Sequence, residues 1–173
     1  MRVSVFVGTS VDGFIARPDG ALDFLDASGG SDDHGYHEFI ATVDALVMGR
    51  NTYETVLSFG TWPYGSKPVF VLSSRLLPAA PPNAVVEHLS GEPREIVASL
   101  KARGFQHVYL DGGLTIQRFL RAGLVDRLIV TRVPVLIGSG IPLFGQLDSD
   151  VSLKHVATRQ YPSGLVQSEY TVA

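Results

Sequence analysis

The chain has 173 residues, 45% of them hydrophobic and 18% charged, which suits one domain with a sizeable core and argues against long disordered tails. Its formal net charge of -3 and pI near 5.9, with no dense Lys/Arg cluster, exclude a broad nucleic-acid face, and no apolar run approaches the roughly 20 residues a membrane span needs. Zero cysteines exclude disulfides, thiolate-ligated zinc and a thiol nucleophile, and the N-terminal apolar run is too short for a secretory leader, so a cytoplasmic location is expected.

Residues 2 to 8 predict an apolar, β-branched strand ending at Gly8. Ser10-Val11-Asp12-Gly13-Phe14-Ile15-Ala16 follows, and its Asp-Gly pair, flanked by apolar residues, marks a reversal or bulge. Arg17-Pro18-Asp19-Gly20 adds a second turn. The stretch from Asp26 to Ser31 is small and glycine-containing, and Ser31-Asp32-Asp33 predicts a helix start whose acids complement the helix dipole. Tyr36, Phe39, Ile40 and Val43 recur at helical spacing and predict one face packed on a sheet. His34, His37 and Glu38 gather in that first turn but lack third and fourth ligands at a metal-site spacing, so no metal is expected there.

Ala45 to Met48 predicts a buried strand that delivers Gly49-Arg50-Asn51-Thr52 to a helix bearing Tyr53, Val56 and Leu57. The first N–H groups of a helix lack internal partners and sit at the positive end of its dipole, so such a junction suits a phosphate. In the loop from Phe59 to Gly65, Trp62 either lines a pocket or plugs the core. Lys67 to Leu72 reads as a parallel strand buried on both faces, and it ends in Ser73-Ser74-Arg75, two hydroxyls and a guanidinium suited to a phosphate on a ribose. The Pro-rich stretch from Leu77 to Pro82 is a connector. Pro93 to Arg103 predicts a helix with Ile96, Val97 and Leu100 inward and Gly104 as its stop. His107 to Leu110 is a further strand, running into Asp111-Gly112-Gly113-Leu114-Thr115, where paired glycines permit close backbone approach before a helix from Thr115 to Ala122. Leu128 to Val133 forms a strand interrupted by Pro134, Gly138 to Gly145 a mobile-looking loop, and Val151 to Val172 an antiparallel hairpin around Pro162-Ser163-Gly164 at one sheet edge.

Three anion-compatible turns therefore follow three strands, at Gly49-Arg50, Ser73-Ser74-Arg75 and Gly112-Gly113. In a mostly parallel sheet those strand ends share one edge, so the turns face one nucleotide cleft.

The order and wording of these motifs resemble the dihydrofolate reductase superfamily, and within it the RibD C-terminal domain, the reductase domain of riboflavin biosynthesis. The stretches that carry the likeness are Ser10 to Ala16, Val47 to Glu54, Val71 to Ser74, Asp111 to Gly113, and Asp126 through Pro134 to Phe144. They are collinear and cover nearly the whole chain. The resemblance implies a single domain over residues 1–173 with a three-layer α/β/α fold, a central mostly parallel sheet and an antiparallel C-terminal hairpin. It implies NADPH as cofactor, with Gly49, Arg50 and Thr52 on its phosphates, Ser73, Ser74 and Arg75 on the adenosine side, and Gly112, Gly113, Leu114 and Thr115 on the pyrophosphate. Asp12 is the first candidate for a catalytic or polar substrate contact, followed by Asp33, His37, Trp62 and Thr131. Folate-reducing members carry an acid in the first helix where counting back from Phe39 reaches Gly35 here, so reduction of a pyrimidine-derived substrate leads, with 5-amino-6-(5-phosphoribosylamino)uracil as precedent. Dihydrofolate reduction and nucleotide binding without catalysis are the alternatives, and a homodimer is expected by analogy alone.

Overall fold

The computed structural model describes residues 1–26 and 32–173. In chain order it contains β1 (Arg2–Ser10), β2 (Phe14–Ala16), a short 3-10 turn (Asp23–Asp26), α1 (Tyr36–Ala41), β3 (Ala45–Gly49), α2 (Arg50–Leu57), β4 (Val69–Leu72), β5 (Val86–Leu89), α3 (Pro93–Ala102), β6 (His107–Asp111), α4 (Gly113–Arg121), β7 (Arg127–Val133), β8 (Ile141–Pro142), β9 (Leu153–Gln160) and β10 (Val166–Val172). Eight strands form one sheet in the order β5-β4-β3-β6-β1-β7-β10-β9. The six from β5 to β7 run parallel, and the β9–β10 hairpin adds antiparallel to β7 at one edge, as the alternating tail predicts.

The apolar runs that read as strands fill both faces of this sheet, because side chains on successive strand residues point to opposite sides. Val47, Phe70, Val108 and Leu110 pack with Ile96, Leu100, Ile116 and Phe119 of α3 and α4 on one face. Leu46, Met48, Val69, Val71 and Tyr109 pack with Phe39, Tyr53 and Val56 of α1 and α2 on the other. Three layers result, as the resemblance implies.

The chain steps from β3 through β4 to β5 at one edge and then returns to place β6 between β3 and β1. That reversal is a topological switch point, where open α/β sheets leave a crevice at the strands' carboxyl ends. The register shows the crevice opening: β1 and β6 stay paired from Arg2↔His107 to Val5↔Leu110 and part beyond.

Three local features differ from expectation. Helix α1 begins at Tyr36 rather than at Ser31-Asp32-Asp33; Ser31 lies outside the described residues, and the Asp33 carboxylate serves as the cap, accepting from the Gly35 and His37 amides at 3.2 and 2.6 Å. Val86–Leu89 forms a short edge strand that sparse apolar residues conceal. The loop after Pro134 is pinned at Ile141–Pro142, which pair with β2, while the Leu143 amide donates to Gly13 O at 2.9 Å and Leu143 is buried. Glycine content suggested mobility there, and long-range pairing overrides it.

Candidate active site

Two helix starts face each other across the crevice. α2 begins at Arg50 immediately after β3, with Gly49 as its N-cap, and α4 begins at Gly113 immediately after β6, with Gly112 as its N-cap. Neither has a side-chain cap or an acidic residue in its first turn. The other two helices satisfy themselves: α1 uses Asp33, and in α3 the Glu92 amide donates to Glu95 at 3.0 Å. Among the described residues, only the two starts on the crevice keep their N–H groups and positive dipole ends for an outside acceptor.

The starts are packed so tightly that only glycine fits. A Cβ on Gly49 would lie 2.9 Å from Thr115 Oγ1, and one on Gly112 would strike Thr52 Oγ1. A Cβ on Gly113 would lie 3.2 Å from the carbonyl oxygen of Pro142. Gly112 also has φ of 93°, a conformation that other residues rarely adopt.

A cavity of about 530 Å³ opens over these turns. Gly49, Arg50, Thr52, Gly112, Gly113, Leu114 and Thr115 are among its lining residues, as are Phe6, Thr55, Phe59, Tyr64, Tyr109 and Asp111, and Ile15, Leu22, Leu25 and Ile141. An adjoining cavity of about 390 Å³ is lined by Ser73, Ser74, Arg75, Ser90 and Gly91, and it shares Arg50, Asn51, Leu72 and Arg118 with the first. Every residue expected to touch a cofactor thus borders one continuous region.

The charges there are not equivalent. Arg50 Nε donates to Glu54 at 2.7 Å and its Nη1 to Leu76 O, and Arg118 donates to Gly91 O at 3.3 Å. The Arg75 guanidinium makes no hydrogen bond or ion pair among the described residues, while its amide and carbonyl are looped onto the Ser73 hydroxyl at 3.0 and 2.8 Å.

The residues expected to touch substrate are dispersed. Asp12 does not line the cavity; its carboxylate accepts from the amides of Ile137 and Gly138 at 3.3 and 2.8 Å. The Ser10 hydroxyl, followed by those amides, holds its carboxyl below the ordinary range. Asp12 therefore staples the loop after β7 to the loop after β1. In Asp12→Ala, amide exchange at Ile137 and Gly138 should accelerate and cofactor affinity fall severalfold, because two charge-assisted bonds are lost at a distance from the ligand. Unchanged exchange would contradict the staple. Asp33 caps α1 and pairs with His37 Nδ1 at 2.6 Å, and Thr131 is buried and accepts from Gln167 at 2.9 Å. Trp62 lies edge-on to Tyr53 and Tyr64 at 6.2 and 5.2 Å, which makes it a plug over the core rather than a cavity wall.

Asp111 is not among the expected contacts, which on this stretch begin at Gly112. It is half-buried on the cavity wall, accepts from the Gly112 amide at 2.8 Å, and has its carboxyl pushed up to about 6 by burial. Burial also raises the hydroxyls of Tyr36, to about 12, and of Tyr64 and Tyr109, with the nearby Asp111 carboxylate as the second cause in each. The available signal was its place: an ionisable residue at the carboxyl end of a buried parallel strand.

Residues 2–167 match the model of the RibD C-terminal domain. The chain belongs to the RibD C-terminal domain family. A protein assigned to riboflavin biosynthesis in Shewanella sp. PV-4 is 42% identical, with a TM-score of 0.91 and coverage of 100% of this chain and 99% of that one. The uncharacterized protein YwjB of Bacillus subtilis (strain 168) is 33% identical over 99% of this chain and 98% of its own length. A Thermotoga maritima diaminohydroxyphosphoribosylaminopyrimidine deaminase/5-amino-6-(5-phosphoribosylamino)uracil reductase shares the RibD fold at 17% identity and a TM-score of 0.74, with this chain spanning 56% of its length. Among the described residues, no helix is long and apolar enough to cross a membrane.

Proposed function

We propose that this RibD-type chain is an NADPH-dependent reductase of a small planar heterocycle. The observation that carries the reading is the pair of uncapped, acid-free helix starts, closed on each other at Gly49, Gly112 and Thr115, that opens toward Ser73, Ser74 and Arg75 on one side and toward Asp111 on the other. A pyrophosphate fits the first feature, since N–H groups and dipole ends converge where no side chain intrudes. A ribose phosphate fits the second, where the Arg75 guanidinium is uncommitted.

NADPH, when bound, supplies a hydride; reduction of a C=N bond places that hydride on carbon and a proton on nitrogen, leaving NADP+. The chain's own part is to orient both molecules, exclude water with Phe6, Phe59, Leu22 and Leu25, and provide the proton. Asp111 is the group for that last task, because a carboxyl held near 6 keeps an appreciable protonated fraction at neutral pH. Folate reduction is less well supported: Gly35 stands at the place of the first-helix acid, Asp33 is spent on the cap, and Glu38 is exposed.

Arg75→Ala tests the cofactor assignment. It should weaken NADPH binding about tenfold or more while changing NADH binding little, because the lost partner serves only the extra phosphate. Fluorescence titration of the two cofactors reads the ratio, and equal losses for both would refute the assignment.

A further inference from the structure

The two ends of the cleft differ in charge, and that difference bears on the substrate class within the reductase reading above. The cations bordering the cavities are Arg50, Arg75 and Arg118; all three border the one containing Ser73 and Ser74, and Arg50 and Arg118, which also border the Asp111 cavity, are committed to Glu54 and Leu76 O and to Gly91 O. The Asp111 cavity is also lined by Phe6, Phe59, Tyr64 and Tyr109, and no cation acts on the Asp111 carboxyl. Tyr36 stands edge-on to Phe6 and Tyr109, with ring centroids 5.7 and 6.5 Å away. The Tyr109 hydroxyl is spent on Phe6 O at 2.8 Å, whereas those of Tyr36 and Tyr64 donate to nothing among the described residues.

The neighbouring cations are committed elsewhere. Arg17, next to the lining residue Ala16, makes a two-point bridge to Asp23 at 2.6 and 2.8 Å and lies over the Phe24 ring. Lys67 donates to Val43 O at 2.6 Å. Arg159 approaches Gly35 at the start of α1 and borders neither cavity. Residues 27–31 contain no Lys, Arg or His. An upward-shifted Asp111 carboxyl is what a site without a compensating cation produces. A phosphate brought beside Asp111 would face a carboxylate and phenols on a wall where burial already disfavours negative charge.

We propose that the substrate is an uncharged planar heteroaromatic without a phosphate ester, held among Phe6, Phe59 and Tyr64 with ring N–H donors on Asp111, and that the site selects against the phosphorylated form of the same ring. This separates the chain from a reductase of a phosphoribosyl substrate while keeping the family's cofactor.

The test rests on the reductase reading and separates the two. NADPH is titrated first; absence of saturable binding removes the reading itself. With NADP+ bound, 5-amino-6-(5-phosphoribosylamino)uracil and its dephosphorylated counterpart are then compared by calorimetry. The dephosphorylated ring should bind at least tenfold more tightly, and Asp111→Asn should narrow that gap to about threefold or less. Equal or tighter binding of the phosphate ester, or binding of neither probe by a protein that takes NADP+, would overturn the proposal. Loss of phosphate-ester binding in Arg159→Ala would also overturn it, by assigning the ester to the rim beyond α1. The wild-type comparison decides the matter if the Asn variant does not fold.

Discussion

Gly112→Ala is expected to abolish measurable NADPH binding while leaving a folded protein. Two costs combine. At φ of 93° an added Cβ strains the backbone by about 1–3 kcal/mol, which corresponds to a Tm lowered by several degrees in a chain of this size. The methyl group also strikes Thr52 Oγ1, so the first turns of α2 and α4 must move apart, and the cradle for the pyrophosphate opens with them. Strain alone is separable from cradle damage, because Gly104, after α3, has a nearly identical φ of 92° with nothing within 4 Å of an added Cβ. Gly104→Ala should therefore lower Tm by a comparable amount and bind NADPH normally. Paired melting and titration of the two variants is the measurement; equal NADPH affinity in both would show that the Gly112 turn does not hold the cofactor.

Asp111→Asn should stabilise the protein at neutral pH and impair it as a catalyst. The Asp111 carboxyl is raised to about 6 in the fold from an unfolded value of 3.8. Between those pH values the native state holds more protons than the unfolded chain, so stability is lost as pH rises through the window and is recovered as pH falls. A shift of this size corresponds to roughly 2–3 kcal/mol at pH 7. Asparagine keeps an oxygen for the Gly112 amide, removes the charge, and should erase this part of the pH slope, so wild type and variant converge near pH 4. Turnover should fall by about 10²-fold or more if Asp111 delivers the proton, with loss of the wild-type decline above pH 6. Urea titrations at pH 4.5 and 7.5 read the stability effect; a variant less stable than wild type at pH 7.5 would contradict it. A side chain that costs stability where it faces a cavity is the usual mark of a functional constraint.

The parts of this molecule legible in the amino-acid order are those governed by local periodicity. Ala45 to Met48 and Val69 to Leu72 are apolar without a break, and they become central strands buried on both faces. Glycine, hydroxyl and arginine directly after such strands reach one sheet edge, which is why Gly49, Arg50, Ser73, Arg75 and Gly112 border one region. What escaped depends on partners distant in the chain. Asp111 carries no signal of its own until β6 is inserted beside β1 and sets it on one cavity wall with Tyr64 and Tyr109. Asp12 looks poised for chemistry until the chain returns 125 and 126 residues later to put Ile137 and Gly138 on its carboxylate. The Gly138 to Gly145 loop likewise gains its order from Phe14 to Ala16.

The paired starts of α2 and α4 are proposed to hold a reduced dinucleotide, and direct titration with NADPH and NADH, followed by cofactor fluorescence, tests this most simply. Saturable binding of NADPH in the micromolar range or tighter, with NADH at least tenfold weaker, is the expected result, since the uncommitted Arg75 meets a phosphate that NADH lacks. No saturable binding of either cofactor would contradict it.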